Sequence, residues 1–551
     1  MSVGFELLIN KLINMKRILL PISAAIVILS GCTKDFEALN TNPLAASPAS
    51  FDANFFLSNA QNTYKEAIGG YAGPILFQSG WVQIFSSTTS GAANYYSNMD
   101  KYVQSSNTNS YTASSWSNCY RAASLAQQVV KDFGADAEKV NTVSAAIVMK
   151  ALSMQYATDI YGDLPYTEAL KGDEGIAQPK YDKQEIVMKG LLTELDAALT
   201  KFNAAKAKPS ADLFYGGDVA KWKKLGYSVM LRIAMRFTKR DAAFAKSWAE
   251  KAFAGGVMMT AADDAFLKGS IATGYTNPNA RALDIPADFY SVRWSKTLID
   301  YLKSTNDPRL GVVAEVPPAG LAGNTTFGPA GDNDPANQLG QPNGFDLNGG
   351  ATDITKAPGY PGGTGTGGDL SPIGKYSRPR TSVYTPNRDV AFFIMTAAET
   401  SLLLAEAAAR GWSVGGNAAT HYANGVKAGM QSLATFSAAG SIAAGAIDSY
   451  IAANPLNTSS QAASLKQINE QFWATTGMLL NFSESWSNWR RSGFPALTPV
   501  VYTGNFSGGA IPRRQIYPTG EASVNGDNYK AGLSGLAPAT DSWASRVWWD
   551  N

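Results

Sequence analysis

Residues 391–430 read AFFIMTAAETSLLLAEAAARGWSVGGNAATHYANGVKAGM, and this stretch decides the fold. Met395, Ala398, Leu402, Ala405 and Ala409 recur every three or four residues, the spacing that lines one face of an α-helix with apolar side chains. Gly411-Trp412 interrupts the pattern, and a second helical run follows from Ala418 to Met430. Alanine and glycine dominate both runs, so two backbones can approach closely. The stretch therefore predicts a helical hairpin.

The same period extends outward in both directions. Val143, Ile147, Ala151, Met154 and Ala157 share it, as do Met188, Leu191, Leu195, Leu199 and Phe202, and Trp222, Leu225, Val229, Ile233 and Phe237. Further helices are expected near 53–70, 115–132, 241–254, 291–303, 416–436 and 465–476, and alternating strand patterns are scarce. The fold class is mainly α. Degenerate hairpins with small residues and an aromatic near the turn resemble tetratricopeptide-type units, whose stacking builds a curved scaffold with long loop-rich insertions.

Two regions break the helical pattern. Residues 83–118 are rich in Ser, Thr, Asn and Tyr, and residues 268–385 in Gly, Pro and Asn. Long loops in a folded chain are either functional or disordered. Tyr275, Phe289, Tyr290, Phe345, Tyr360, Tyr376 and Tyr384 argue for order, since disordered segments are poor in aromatics. Both regions are read as ordered loops on one helical domain spanning 51–551.

The N-terminal residues carry a different signal. Lys16 and Arg17 precede the apolar run Ile18–Leu29, and Leu29-Ser30-Gly31-Cys32 closes it. That layout is a secretory leader over 1–31, with Met15 as the expected start, and its apolar run falls short of the roughly 20 residues of a spanning helix. The small residues before Cys32 match a lipobox, so Cys32 is expected to be lipidated and to anchor the chain on a bilayer, with a polar tether over 32–50. Cys119 is the other cysteine, which leaves no disulfide partner once Cys32 is acylated. Losing Glu6, Lys11, Lys16 and Arg17 with the leader takes the formal charge from +2 to 0. A neutral chain without a basic face speaks against nucleic acid and for uncharged polar partners.

Several short segments carry a resemblance. Phe36-Glu37-Ala38-Leu39-Asn40-Thr41-Asn42-Pro43 follows the lipobox, and Tyr161-Gly162-Asp163-Leu164-Pro165-Tyr166-Thr167-Glu168-Ala169-Leu170 stands further in. Trp222 precedes Leu231-Arg232-Ile233-Ala234-Met235-Arg236, and Asn306-Asp307-Pro308-Arg309 comes later. Glu484-Ser485-Trp486 and Trp489-Arg490-Arg491-Ser492-Gly493 lie within Asn481–Pro495, followed by Ile511-Pro512-Arg513-Arg514 and Val547-Trp548-Trp549-Asp550. In this order the segments resemble the SusD/RagB-like outer-membrane nutrient-binding lipoproteins. The resemblance implies a right-handed superhelix of tetratricopeptide-like hairpins, anchored by lipid to the cell exterior. It also implies a SusC-like TonB-dependent transporter as partner, an oligosaccharide or in some members a peptide as ligand, and no catalysis.

Candidate chemistry is weighed residue by residue. Asp163 and Glu168 have no spacing that marks an acid/base pair. Arg490 and Arg491 beside Trp486 and Trp489 fit a structural ion pair or a contact with the transporter better than an anion clamp. One histidine, His421, excludes paired-histidine zinc sites and makes a triad improbable. Gly363, Gly365 and Gly368 satisfy a dinucleotide pattern, but no apolar strand precedes them. Asp332, Asp334 and Asn337 offer oxygens for a structural calcium without the rest of a calcium loop, and no other cofactor is expected.

A glycan presents a weakly polar C–H face and a rim of hydroxyls, so its site needs flat rings and amides. Trp81, Tyr95, Tyr96 and Trp116, interleaved with Gln83, Asn94 and Asn98, form one candidate group, and Tyr275, Asn277, Tyr290 and Trp294 a second. The plainer account is that these rings anchor loops to the core. A ring pair adds only about 0.5–1.5 kcal/mol beyond burial, so several must converge. Three rivals to glycan capture are a peptide-binding relative, a helical polysaccharide-degrading enzyme and a purely structural surface protein. The enzyme would need two carboxylates about 5–9.5 Å apart.

Overall fold

The apolar stripes form helices that pack in sequence order. In the computed structural model they are α1 (Ala53–Ile68), α2 (Thr108–Phe133), α3 (Val140–Tyr161), α4 (Gln184–Leu199), α5 (Val219–Arg236) and α6 (Ala242–Gly255). After these come α7 (Lys296–Ser304), α8 (Ala397–Ala409), α9 (Ala418–Ser432), α10 (Ala444–Ala453), α11 (Gln461–Met478) and α12 (Phe482–Ser492). The structure describes residues 52–90, 96–285, 292–318, 330–362, 375–385 and 388–551. The leader, Cys32, the tether, Asn94, Tyr95, Tyr290 and the glycines at 363–368 lie outside the described residues. No helix among the described residues is long and apolar enough to cross a membrane.

Neighbouring helices pair as α1 with α2, α2 with α3, α3 with α4, α5 with α6, α8 with α9 and α11 with α12. These are tetratricopeptide-like hairpins, and the architecture is mainly α. The predicted hairpin forms as α8 and α9, with α11 packed on both, but its first helix starts only at Ala397: Phe392–Met395, read as helical, is a strand paired with Ala265–Leu267. Small residues set the distance: a Cβ on Gly425 would meet Leu402 Cγ at 2.7 Å, and one on Gly429 would meet Thr475 Cγ2 at 2.5 Å. Polar caps define the helix starts. Asp218 accepts the amides of Ala220 and Lys221, Thr396 that of Glu399, and Asn417 that of Thr420. Helix α3 stops at Gly162, whose φ of +97° most side chains avoid.

Two further boundaries differ from the sequence reading. Residues 108–118 were expected in a loop, yet they form the first turns of α2. Thr112 and Ser115 are buried there, Ser115 donates to the Ala67 carbonyl of α1, and Tyr161 donates to the Thr112 carbonyl. Tertiary packing overrides weak helix propensity at these positions. Residues 292–294 were expected to open a helix but form a strand, with α7 starting at Lys296.

Four two-stranded ladders tie loops to this base: β1 (Phe85–Ser87), β2 (Leu164–Pro165), β3 (Tyr181–Asp182), β4 (Ala265–Leu267), β5 (Val292–Trp294), β6 (Ala314–Glu315), β7 (Arg378–Pro379) and β8 (Phe392–Met395). The antiparallel pair β1–β5, with Phe85 opposite Trp294, joins the first loop-rich region to the second. The second region also has a small core of its own, where Leu339, Phe345 and Tyr360 pack against Ile354, Ala357 and Tyr376. The expected order of both regions is thus met in their described parts.

Candidate binding cleft

The rings singled out from the sequence are mostly core residues. Trp81, Tyr96 and Trp294 are 0 % exposed. Trp81 packs on Trp486 with ring centroids 5.2 Å apart, Tyr96 on Tyr71 at 6.3 Å, and Trp294 on Phe85 at 4.7 Å. A ring enclosed on both faces cannot stack on a ligand, so these three expectations are corrected. Asn277 is corrected too, since it is buried and caps a helical turn. Its Oδ1 accepts the amides of Asn279 and Ala280, and its Nδ2 donates to the Ala391 carbonyl. Trp116 is half-buried, in an aromatic cluster with Tyr120, Tyr161, Tyr181 and Tyr517. Tyr275 is half-buried at the edge of the core.

Asp332 and Asp334 serve as turn acceptors. Asp332 accepts from the Asp334 amide at 2.9 Å and from Asn337 Nδ2 at 2.7 Å, while Asp334 accepts from the Ala336 amide at 2.9 Å. No group of three His, Cys, Asp or Glu residues suited to a metal ion occurs among the described residues.

A cleft does form where four segments converge. Its walls come from Gln83, from the start of α7, from the loop at 342–352 and from residues 498–501, and it encloses about 420 Å³. Gln83, at a φ of +54°, braces the floor. Its Nε2 donates to the Thr498 carbonyl at 2.6 Å, and its Oε1 accepts from Thr297 Oγ1 at 2.7 Å. Asn343 accepts from Ser295 Oγ at 2.5 Å and donates to the Phe85 carbonyl at 2.8 Å.

Beneath this floor lies a buried ion pair, Asp100 with Lys101 at 2.9 Å, both side chains 0 % exposed. Asp100 also accepts from Ser86 Oγ at 3.0 Å and from the Gly344 amide at 3.1 Å, which pins the 342–352 loop to β1. Tyr502 donates to Asp346. Burial and that carboxylate push the Tyr502 hydroxyl up to about 12, so it remains a protonated donor.

With the floor amides spent on bracing, other groups face solvent. Phe345 is half-buried, Val501 is 85 % exposed, and Pro342 and Pro499 complete an apolar lining. The charged side chains of the cleft, Lys296 and Asp300, pair with each other one helical turn apart. Their charges cancel. The cleft offers apolar surface, Thr352 and Thr498 in its lining and charged side chains that pair with each other, which suits an uncharged polar ligand.

Comparisons with known proteins agree with this architecture. The family model described as "Starch-binding associating with outer membrane", SusD-like, matches residues 45–518. The chain belongs to the SusD-like family. A solved chitin-binding protein is 29 % identical, with a TM-score of 0.75 over 91 % of this chain and 100 % of its own. A chitin-binding SusD homolog from Flavobacterium johnsoniae is 21 % identical, with a TM-score of 0.67 over 90 % of this chain and 99 % of its own. A SusD homolog from Bacteroides ovatus is 22 % identical, with a TM-score of 0.69 over 91 % of this chain and 99 % of its own. Nothing among curated proteins matches the chain. The SusD-like family is one of binding proteins associated with the outer membrane.

Most segments that carry the SusD-like resemblance do structural work in this chain. Arg232 donates to both carboxylate oxygens of Glu399, at 2.5 and 2.8 Å. Arg236 bridges Asp159 at 3.0 Å and Glu484 at 2.8 Å. This buried cluster clamps α3, α5, α8 and α12 together. Arg491 donates to both oxygens of Glu406 at 2.6 Å, the structural ion pair expected of it, and Arg490 lies 3.6 Å from the centre of the Trp486 ring. Asp163 is buried beside Lys183 at 3.1 Å and accepts the Gln184 amide, while Glu168 pairs with Lys180 at 3.5 Å. His421 is buried.

Gln83 does line the cleft as one of the expected amides, but sequence reasoning missed Asn343 and the 498–502 segment. Phe345 stood out only as evidence of loop order. Their roles arise from contacts across more than 200 positions of chain, which no local pattern encodes.

Proposed function

We propose that this chain captures uncharged oligosaccharides in the cleft formed by Gln83, Lys296, Phe345 and Val501, without chemically converting them. Acylated at Cys32, it would hold the ligand at the cell surface and pass it to a SusC-like TonB-dependent transporter. The observation that carries the reading is a cleft with cancelled charges, built by the loops of a SusD-like chain. Chitin-binding proteins among its structural relatives support the choice of a sugar. Isothermal titration of the mature protein against a glycan panel that includes chitin oligosaccharides tests it. Saturable binding is expected, with no release of new reducing ends. Silence across the glycans together with binding of peptides at the cleft would refute it. Mass spectrometry of the membrane form should find fatty acyl groups on Cys32, and co-purification should bring down a large β-barrel transporter.

A further inference from the structure

Two walls of the cleft, 342–352 and 498–501, are tied to one buried strip, Asp100–Val103, which lines no part of it. Asp100 Oδ2 accepts the Gly344 amide at 3.1 Å, Asn343 Nδ2 at 3.4 Å, Ser86 Oγ at 3.0 Å and the Ser87 amide at 3.3 Å. One carboxylate oxygen thus holds the 342–352 wall against β1. The next three residues hold the other wall. Lys101 donates to the Ser87 carbonyl, and its ammonium lies 5.9 Å from the centre of the Tyr502 ring. Tyr102, at a φ of +58°, presents its carbonyl to the Phe506 amide at 2.8 Å, and Val103 bridges Asn505.

The walls also meet each other. Tyr502 donates to Asp346, and a Cβ on Gly344 would lie 2.6 Å from Val500 Cγ1. A shift of the Gly344 backbone therefore displaces the Val500 side chain, and the separation of the walls depends on where Gly344 is held. Stability alone does not call for an ion pair here, since apolar residues of similar volume often replace a buried pair at no cost. Apolar residues could not accept the Gly344 amide. Holding a binding surface in its ligand-ready form lowers the cost of association.

We infer that Asp100 is a positioning residue of the cleft: by accepting the Gly344 amide it sets the wall separation, and with it the affinity for oligosaccharide, without touching the ligand. Its effect on affinity rests on the oligosaccharide reading of the cleft, whereas its effect on the walls does not.

Two charge-balanced double variants separate the acceptor from the charges. Asp100→Asn with Lys101→Met keeps an oxygen for Gly344, and Asp100→Ala with Lys101→Met removes it. Hydrogen exchange of the ligand-free mature protein reads the tether. Exchange over 342–352 should be at least about tenfold faster than wild type in the alanine variant and within about threefold of it in the asparagine variant. Isothermal titration with chitin hexasaccharide, well below the melting temperatures, should show the same order, with at least about tenfold weaker binding for the alanine variant. Glu399→Gln, a core change that lines no part of the cleft, should lower the melting temperature and move neither readout. Equal exchange or equal affinity in the two double variants would overturn the inference. If the alanine variant does not fold, Asp100→Leu with Lys101→Met takes its place; failure of both beside a folded asparagine variant would make Asp100 purely structural and also overturn it. Wild-type silence toward the glycan with the exchange difference intact would refute the cleft reading and leave the tether standing.

Discussion

Replacing Arg232 by methionine should be among the costliest single changes in the protein, and more costly than neutralising its partner Glu399. Arg232, Arg236, Glu399, Glu484 and Asp159 are all nearly inaccessible, so two guanidinium groups face three carboxylates in the core, with Arg490 acting on Asp159 from beside them. Arg232→Met leaves three carboxylates around Arg236 alone, whereas Glu399→Gln leaves two cations and two anions. Removing one member of a buried pair costs about 3–5 kcal/mol because the other charge stays desolvated. The entropy of unfolding is about 2.1 cal/mol/K per residue, or about 1 kcal/mol/K over roughly 500 residues, so the midpoint of Arg232→Met should fall by about 3–5 °C. Glu399→Gln should lose clearly less, since its amide oxygen still accepts from Arg232. Circular dichroism melts at one scan rate compare the two. An equal or larger drop for Glu399→Gln would refute the charge-balance argument.

Asp264 makes stability pH-dependent. Burial pushes its carboxyl up to about 7, against the hydrogen bonds from Ser432 Oγ and the Ala397 amide. Between about pH 4 and 7 the folded form keeps a proton that the unfolded form has lost, so stability falls as pH rises through that window and levels off above it. Asp264→Asn should flatten this slope in denaturant titrations at several pH values. Gly80→Ala should destabilise strongly or abolish folding, because its Cβ would lie 2.0 Å from the Met99 carbonyl oxygen; soluble yield and melting temperature read this out. Val501→Asp places a charge on an exposed wall of the cleft, so it should weaken oligosaccharide binding by about tenfold in titrations while the melting temperature stays unchanged.

Much of the fold was legible because helix formation is a local matter. The apolar period and the Gly411-Trp412 break sit within one or two turns of the residues they organise, and α8 and α9 follow the pattern from Ala397 onward, while Phe392–Met395 is drawn into a strand by its distant partner Ala265–Leu267. The same holds for α4 and α5, whose buried faces are the stripes read from the chain, whereas α3 is buried almost all round and leaves Val143 and Ile147 of its stripe only half-buried. Polar residues misled the reading at 108–118, since Thr112 and Ser115 look like loop residues until α1 and Tyr161 cover them.

The candidate site was legible only in outline. Tryptophans and amides in loop-rich segments suggested ring platforms, but exposure is decided by what packs over a ring. Trp81 is covered by Trp486 and Trp543, more than 400 positions away, and Trp294 by Phe85 and Tyr384. The sequence by itself determined the helices, their caps and the polar, uncharged character of the loops, because each depends on near neighbours along the chain. Only the tertiary structure decided which side chains face solvent and which charges cancel. Both depend on bringing Gln83, Asn343 and Val501 to one place, and chain order carries no record of that distance.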